Sequence, residues 1–217
     1  FGGIGQNFVN PALAGRIVLL TSFPVAMSTW TQPLTWTMSK LDGITSASPL
    51  SSIHEMTSGS AAPDVSLVEM LIGWRAGCLG ETCAVALLLG GIYLVVRKVI
   101  SPAIPLTYIG TVAVIMLIAG KGDFRFVAYE LLGGGLMLGA IFMATDYTTS
   151  PITFKGKIIF GIGCGLITSI IRIFGNLPEG VSYSIIIMNI LVPLIENVTL
   201  PKPFGTPKKE KKEAEAK

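Results

Sequence analysis

GWRAGCLGETCAVALLLGGIYLVV, residues 73–96, holds the two features that decide the fold. Its first half is glycine-broken and carries Arg75 and Glu81; its second half is an unbroken apolar run. A strand of a membrane barrel alternates apolar and polar residues. Neither AVALLLGGIYLVV nor IIIMNILV, residues 185–192, does so. In hydrocarbon the backbone polar groups of an isolated segment are satisfied only within a helix. The expected fold is therefore all-α, a polytopic transmembrane helical bundle. The glycine-broken half adds that some helices are interrupted, with half-helix starts presenting N–H groups to a ligand or an ion. GGIGQNFVNPALAG, residues 2–15, repeats the theme.

Composition supports the membrane reading. Charged residues make up 13% of the chain, against roughly a quarter in a soluble domain, and many of them crowd into the last ten residues. A span needs about 20 mainly apolar residues. Residues 10–27, 82–96, 102–119, 126–145, 157–174 and 181–200 approach that requirement. The expected organisation is a glycine-rich entry and first helix (1–27), a Ser/Thr-rich loop (28–66), a membrane domain of four to five helices (67–200) and a charged tail (201–217). With the loop outside, Arg97, Lys98, Lys155, Lys157 and the tail lysines all fall inside, as the positive-inside rule requires of the cytoplasm. The expected location is the inner (plasma) membrane, with the loop extracytoplasmic and the tail cytoplasmic. The net charge of +3 sits largely in that tail and gives no argument for nucleic acid. The chain opens without methionine and reads as the later part of a longer polypeptide.

Candidate chemistry is sparse. Cys78, Cys83 and Cys164 suit packing rather than a disulfide framework or a metal site. His54 is the only histidine, so hydrolytic constellations lack material. No phosphate-binding loop is present, and GGIGQNF lacks the strand and acidic partner of a nicotinamide site. No catalytic side chain and no resident metal are expected, so a cofactor must supply any redox chemistry. Ionisable groups at membrane depth mark function by default, which directs attention to Arg16, Arg75, Glu81, Glu130, Asp146 and Glu196. Glu196, near the tail, reads as interfacial. Glu81 and Glu130 stand beside glycines and are candidates for an ion path. Asp146 in MATDYTTSP reads equally as an oxygen ligand for a hard cation and as an ordinary cap. Gly133, Gly134, Gly135 and Gly139, and Gly161, Gly163 and Gly165, allow close helix approach or room around a flat ligand.

Taken together, GGIGQNFVNPALAGR, DGITSASPL, GETCAVALLLGG, MATDYTTSP and GLITSIIRIFGNLPEGVSYSIIIMNILVPLIE resemble the family of membrane D subunits of Rnf complexes, the ion-pumping ferredoxin:NAD oxidoreductases. The B subunit of the sodium-pumping NADH:quinone oxidoreductase is a close relative. The resemblance covers nearly all of the chain before the tail. It implies a flavin mononucleotide (FMN) joined through its phosphate to a hydroxyl in a motif D-x-x-[ST]-G-A-[TS]. Here Asp42, Thr45 and Ala47 fall on the pattern and Ser48 on the acceptor; Ser46 replaces the usual glycine, and Ser48 the commoner threonine. Thr45 and Ser46 are alternative acceptors. The resemblance also implies a non-covalent riboflavin, for which Gly5, Asn7, Gly80 and Glu81 are candidates. It further implies other membrane and peripheral subunits, among them a second flavin carrier and iron–sulfur subunits, and a flavin transferase for maturation. The expected function is a flavin-carrying subunit of a translocase coupling ferredoxin:NAD electron transfer to Na⁺ or H⁺ movement. The rival is a solute channel or secondary transporter with broken helices and no flavin, which leaves DGITSASPL without a purpose.

Overall fold

A computed structural model describes residues 7–31, 45–46, 53, 66–75, 77–78, 80–175 and 180–201. The chain is an all-α membrane bundle. Helix α1 (Pro11–Ser22) starts where Asn10 accepts the Ala12 and Leu13 N–H groups and Pro11 fills the first turn, a position that needs no proline N–H. Phe23 and Pro24 break this segment, and a short α2 (Pro24–Ser28) follows. Two two-residue strands, β1 (Trp30–Thr31) and β2 (Thr45–Ser46), pair antiparallel with Trp30 opposite Ser46.

Helix α3 (Leu67–Ile72) opens on a capping box between Ser66 and Glu69, which satisfies two orphan donors reciprocally. It stops at Gly73, whose φ of 102° suits glycine alone among common residues. Helix α4 (Ala84–Val96) is followed, after a short connection, by helix α5 (Ala103–Ala119). Helix α6 (Phe124–Leu132) is capped by Asp123, which accepts the Arg125 N–H. After Gly133–Gly135 a three-residue α7 (Leu136–Leu138) runs into a π-helical turn at Gly139–Met143. Helices α8 (Phe154–Phe174) and α9 (Val181–Thr199) complete the chain.

On length and composition α8 and α9 can cross a membrane; α6 with α7 and the π turn is a third candidate, bent by 67°. Residues 126–145, expected as one continuous span, are thus a broken helix. The triple glycine causes the bend: Gly134 sits at φ 61°, and no side chain there helps to hold a helix.

The core runs along α5, α8 and α9, with Tyr108, Val112, Met116, Phe160, Cys164 and Ile185 almost completely covered. α5 and α8 pack closely because α8 turns Gly161 and Gly165 toward Thr107 and Thr111. Both threonine hydroxyls bond back to their own helix, to the carbonyls of Ala103 and Thr107, each at 2.7 Å. No polar group is therefore stranded against the glycine face. A Cβ on Gly165 would lie 2.6 Å from Thr111 Cβ and 3.0 Å from the Tyr108 carbonyl. Gly165→Val is expected to destabilise the bundle by about 1–3 kcal/mol through overpacking. Thermal unfolding of the purified protein should show an earlier transition; an unchanged midpoint would mean the two helices are not tightly apposed.

Candidate functional site

Two interrupted helices lie side by side: α3 packs on α6, and α4 packs on α7 and the π turn. Each break is braced by an arginine and a glutamate.

The first break runs from Gly73 to Cys83. A Cβ on Gly73 would lie 3.1 Å from Cys83 Cβ and 3.2 Å from Cys83 backbone atoms, so glycine lets the two ends of the break touch. Arg75 is buried, and its guanidinium donates to the Glu81 carbonyl at 2.7 Å and the Thr82 carbonyl at 3.3 Å. It thereby supplies donors that a continuous helix would have supplied. The Glu81 carboxylate, also buried, meets Arg16 of α1 at 2.8 Å. Arg16 also reaches Cys78 Sγ at 4.0 Å, and the Cys83 thiol bonds to the Leu71 carbonyl at 3.6 Å. At the start of α4, Cys83 offers no side-chain cap, so the positive end of that helix lies close in sequence to the Glu81–Arg16 pair.

The second break, Gly133–Gly135, is held from α8. Arg172 donates to Glu130 Oε2 at 2.9 Å, to the Glu130 carbonyl at 2.6 Å and to the Gly133 carbonyl at 3.1 Å. One planar fork thus caps the negative end of a half helix and neutralises its carboxylate. Both side chains are almost wholly covered, 2% and 4% exposed, whereas Arg16 and Glu81 are 18% and 9% exposed. The Glu81 pair is the more accessible of the two.

Polar groups deeper in the bundle are also satisfied. Tyr108, Thr168 and Ser184 close a buried ring of hydroxyls at 2.6, 2.9 and 2.7 Å. The Ser184 hydroxyl also lies within bonding distance of the Val181 carbonyl. Asp146 accepts from the Thr148 N–H and from the hydroxyls of Thr148 and Thr149 at 2.8 and 3.0 Å. With its amide nitrogen toward the Thr149 and Ile185 carbonyls, buried Asn189 accepts the Asn10 N–H at 3.1 Å. That residue links α9, the Asp146 turn and the start of α1. Glu196 accepts the Ile152 N–H at 3.1 Å.

Of the residues singled out from the sequence, Glu81 lies in the first break and Glu130 in the last turn of α6, just before the second. Gly80 lies against Leu138, where a Cβ would come within 3.5 Å. Asn7 is half-buried, and at the start of α1 the Asn10 side chain takes the first N–H groups. Thr45 lies in β2. Ser48, Asp42, Ala47 and Gly5 lie outside the described residues. Arg172 was not among the candidates, although a lone cation inside the apolar run of α8 is the signal that should find it. Among the described residues, no cluster of three or more His, Cys, Asp or Glu could hold a metal ion.

Known proteins share this sequence over most of its length. Across 217 residues the chain is 48% identical to the D subunit of the Na⁺-translocating ferredoxin:NAD⁺ oxidoreductase complex of Acetobacterium woodii, covering all of this chain and 64% of that protein. It is 43% identical to the D subunit of the proton-translocating ferredoxin:NAD⁺ oxidoreductase complex of Clostridium ljungdahlii, covering 94% of this chain and 63% of that protein. It is 38% identical to the D subunit of the ion-translocating oxidoreductase complex of Stutzerimonas stutzeri, covering 94% and 65%. The chain spans just under two thirds of the length of these relatives. The model of the NQR2, RnfD, RnfE family matches residues 1–205, and the chain belongs to that family.

Proposed function

We propose that this chain is part of a flavin-carrying membrane subunit of an ion-translocating electron-transport complex, and that Ser48 holds FMN through a phosphoester. The observation that carries the reading is the order Asp42, Thr45, Ala47, Ser48 in a chain that matches the family over residues 1–205. The relatives' names supply the reaction class: ferredoxin:NAD⁺ oxidoreductases that move Na⁺ in one organism and protons in another. The partners are then the other subunits of such a complex, iron–sulfur and second flavin-carrying subunits included, with a flavin transferase acting during maturation.

The residues present suit such a tether. A phosphoester asks of this protein only an accessible hydroxyl, and serine carries the same nucleophilic oxygen as threonine without its methyl group. Gly43 and Ala47 are small neighbours that let a modifying enzyme reach the acceptor. On either side of Ser48, Thr45–Ser46 pairs with Trp30–Thr31, and Ile53 is fully buried in a core cluster with Leu13 and Met70. A covalent tether keeps its cargo at a high effective concentration near its electron partner. FMN, when attached, supplies the electron-accepting and electron-donating chemistry that no side chain here provides.

Within the membrane, the Arg16–Glu81 break is the better candidate for the ion path. Its pair is the more accessible, and it lies next to the uncapped start of α4. Glu130, locked by Arg172, is suited to holding the second break in place, and Asp146 has its carboxylate engaged by two threonine hydroxyls. Asn7, Gly80 and Glu81 are the described candidates for the riboflavin position. The outward-facing loop and the cytoplasmic tail belong to this same proposal.

Peptide mass spectrometry of the complex from its native host tests the tether. A peptide containing residues 41–55 is expected to carry the mass of FMN less water on Ser48. An unmodified Ser48 in protein matured alongside its flavin transferase would sink the assignment. The added mass on Thr45 or Ser46 instead would move the acceptor while keeping the flavin.

A further inference from the structure

Between α4 and α5 lies a cleft of about 240 Å³, walled by Leu88, Ile92 and Val96 on one side and Leu106 and Ile109 on the other. Its floor is Ile141 of the π turn, which approaches the α4 backbone because residue 91 is glycine: a Cβ there would lie 2.7 Å from Ile141 Cγ2. Ile92 and Leu106 are 59% and 69% uncovered by the chain. The loop joining α4 to α5 carries Arg97 and Lys98, directly between the cleft-lining residues Val96 and Ile100. The turn holding them is tightly made: Lys98 sits at φ 57°, and its N–H and that of Val99 bond to the Val95 and Leu94 carbonyls. Residues 82–120 contain no carboxylate. Among the described residues neither Arg97 nor Lys98 forms an ion pair.

We propose that α4, α5 and the loop between them form a binding site for an anionic phospholipid, with one acyl chain in the α4–α5 cleft and the headgroup phosphate on Arg97 and Lys98. The lining of the cleft is wholly aliphatic, which suits a hydrocarbon chain. The charge favours an anionic lipid over a zwitterionic one: two cations beside a wholly aliphatic cleft have no carboxylate in their own stretch of chain. Basic residues between membrane helices on the cytoplasmic side recognise acidic headgroups in this way. Tyr93, 63% uncovered and one turn before Arg97, adds the aromatic group common at headgroup depth. The site does not depend on the flavin, so the two readings fail separately.

The test uses the whole complex, stripped of lipid in detergent and offered dioleoyl phosphatidylglycerol or dioleoyl phosphatidylcholine, with bound lipid counted by native mass spectrometry. The wild type should bind phosphatidylglycerol at least tenfold more tightly than phosphatidylcholine. Arg97→Gln with Lys98→Gln should remove that preference, and Leu106→Trp, which fills an open wall of the cleft, should weaken the binding of both lipids. Equal affinity of the wild type for the two lipids would overturn the proposal even if no variant assembled. So would unchanged preference in the double variant. A photoreactive phenylalanine analogue at position 106 should label lipid; exclusive cross-links to protein would show that another segment or subunit fills the cleft.

Discussion

Arg172→Ala is expected to cost the membrane bundle about 3–5 kcal/mol, the loss typical of removing one partner of a buried ion pair. Three acceptors lose their donor at once: the Glu130 carboxylate and the Glu130 and Gly133 carbonyls. The carboxylate is left charged and covered, and the half helix of α6 loses the cation at its negative end. Water cannot easily replace the guanidinium, because the side chains are only 2% and 4% exposed. Arg172→Lys should fall between wild type and alanine. A lysine keeps the charge, but its point-like ammonium lacks the planar fork that spans carboxylate and carbonyls together. Arg172→Leu with Glu130→Leu should recover part of the loss, since the uncompensated carboxylate disappears while the two carbonyls stay unserved. The measurement is thermal unfolding of the purified complex, followed by the release of this subunit. If Arg172→Ala melts with the wild type, the brace contributes nothing and the triple-glycine break is held by other contacts.

The same brace shows where reading the sequence stops. Helix identity was legible because a lipid-facing backbone has few ways to satisfy its polar groups, so 185–192 and 84–96 had to be helical. Of the ends, the start at Asn10 with Pro11 was read, while the Ser66–Glu69 capping box and the stop at Gly73 bound α3, a helix absent from the expected spans. Close helix approach at Gly161 and Gly165 was one of two readings of those glycines, and the partner, α5, came from the structure. The bend at Gly133–Gly135 was not legible. Glycine in a membrane helix is compatible with tight packing as well as with interruption, and the deciding partner lies 39 residues beyond Gly133, at Arg172. The π turn at Gly139–Met143 depends likewise on what surrounds it, including Val181 against Gly139 and Gly91 against Ile141. Pairings across helices leave no periodic trace in a single sequence. Glu81 and Glu130 could therefore be picked out as unusual, but not sorted into an accessible pair and a locked one.

Ser48→Ala should abolish covalent flavin fluorescence of the denatured subunit. It should also lower ferredoxin:NAD⁺ electron transfer by the complex by about 10²–10³-fold at micromolar free FMN. The magnitude follows from tethering: a short linker holds its cargo at a millimolar effective concentration, and its loss leaves the site to compete for dilute flavin. Ser48→Thr should retain both signals, because threonine offers the same oxygen. The melting temperature should not move with either change, which separates the tether from the Arg172 brace. Millimolar FMN added to the alanine variant should restore part of the rate, because it matches the effective concentration that the tether supplied. Full electron transfer in Ser48→Ala, with no flavin on Thr45 or Ser46, would remove the flavin relay from this loop. The two braced breaks would then be the remaining candidates for coupling, and Glu81→Gln, which discharges the more accessible pair while keeping its shape, would become the variant that decides whether ions pass there.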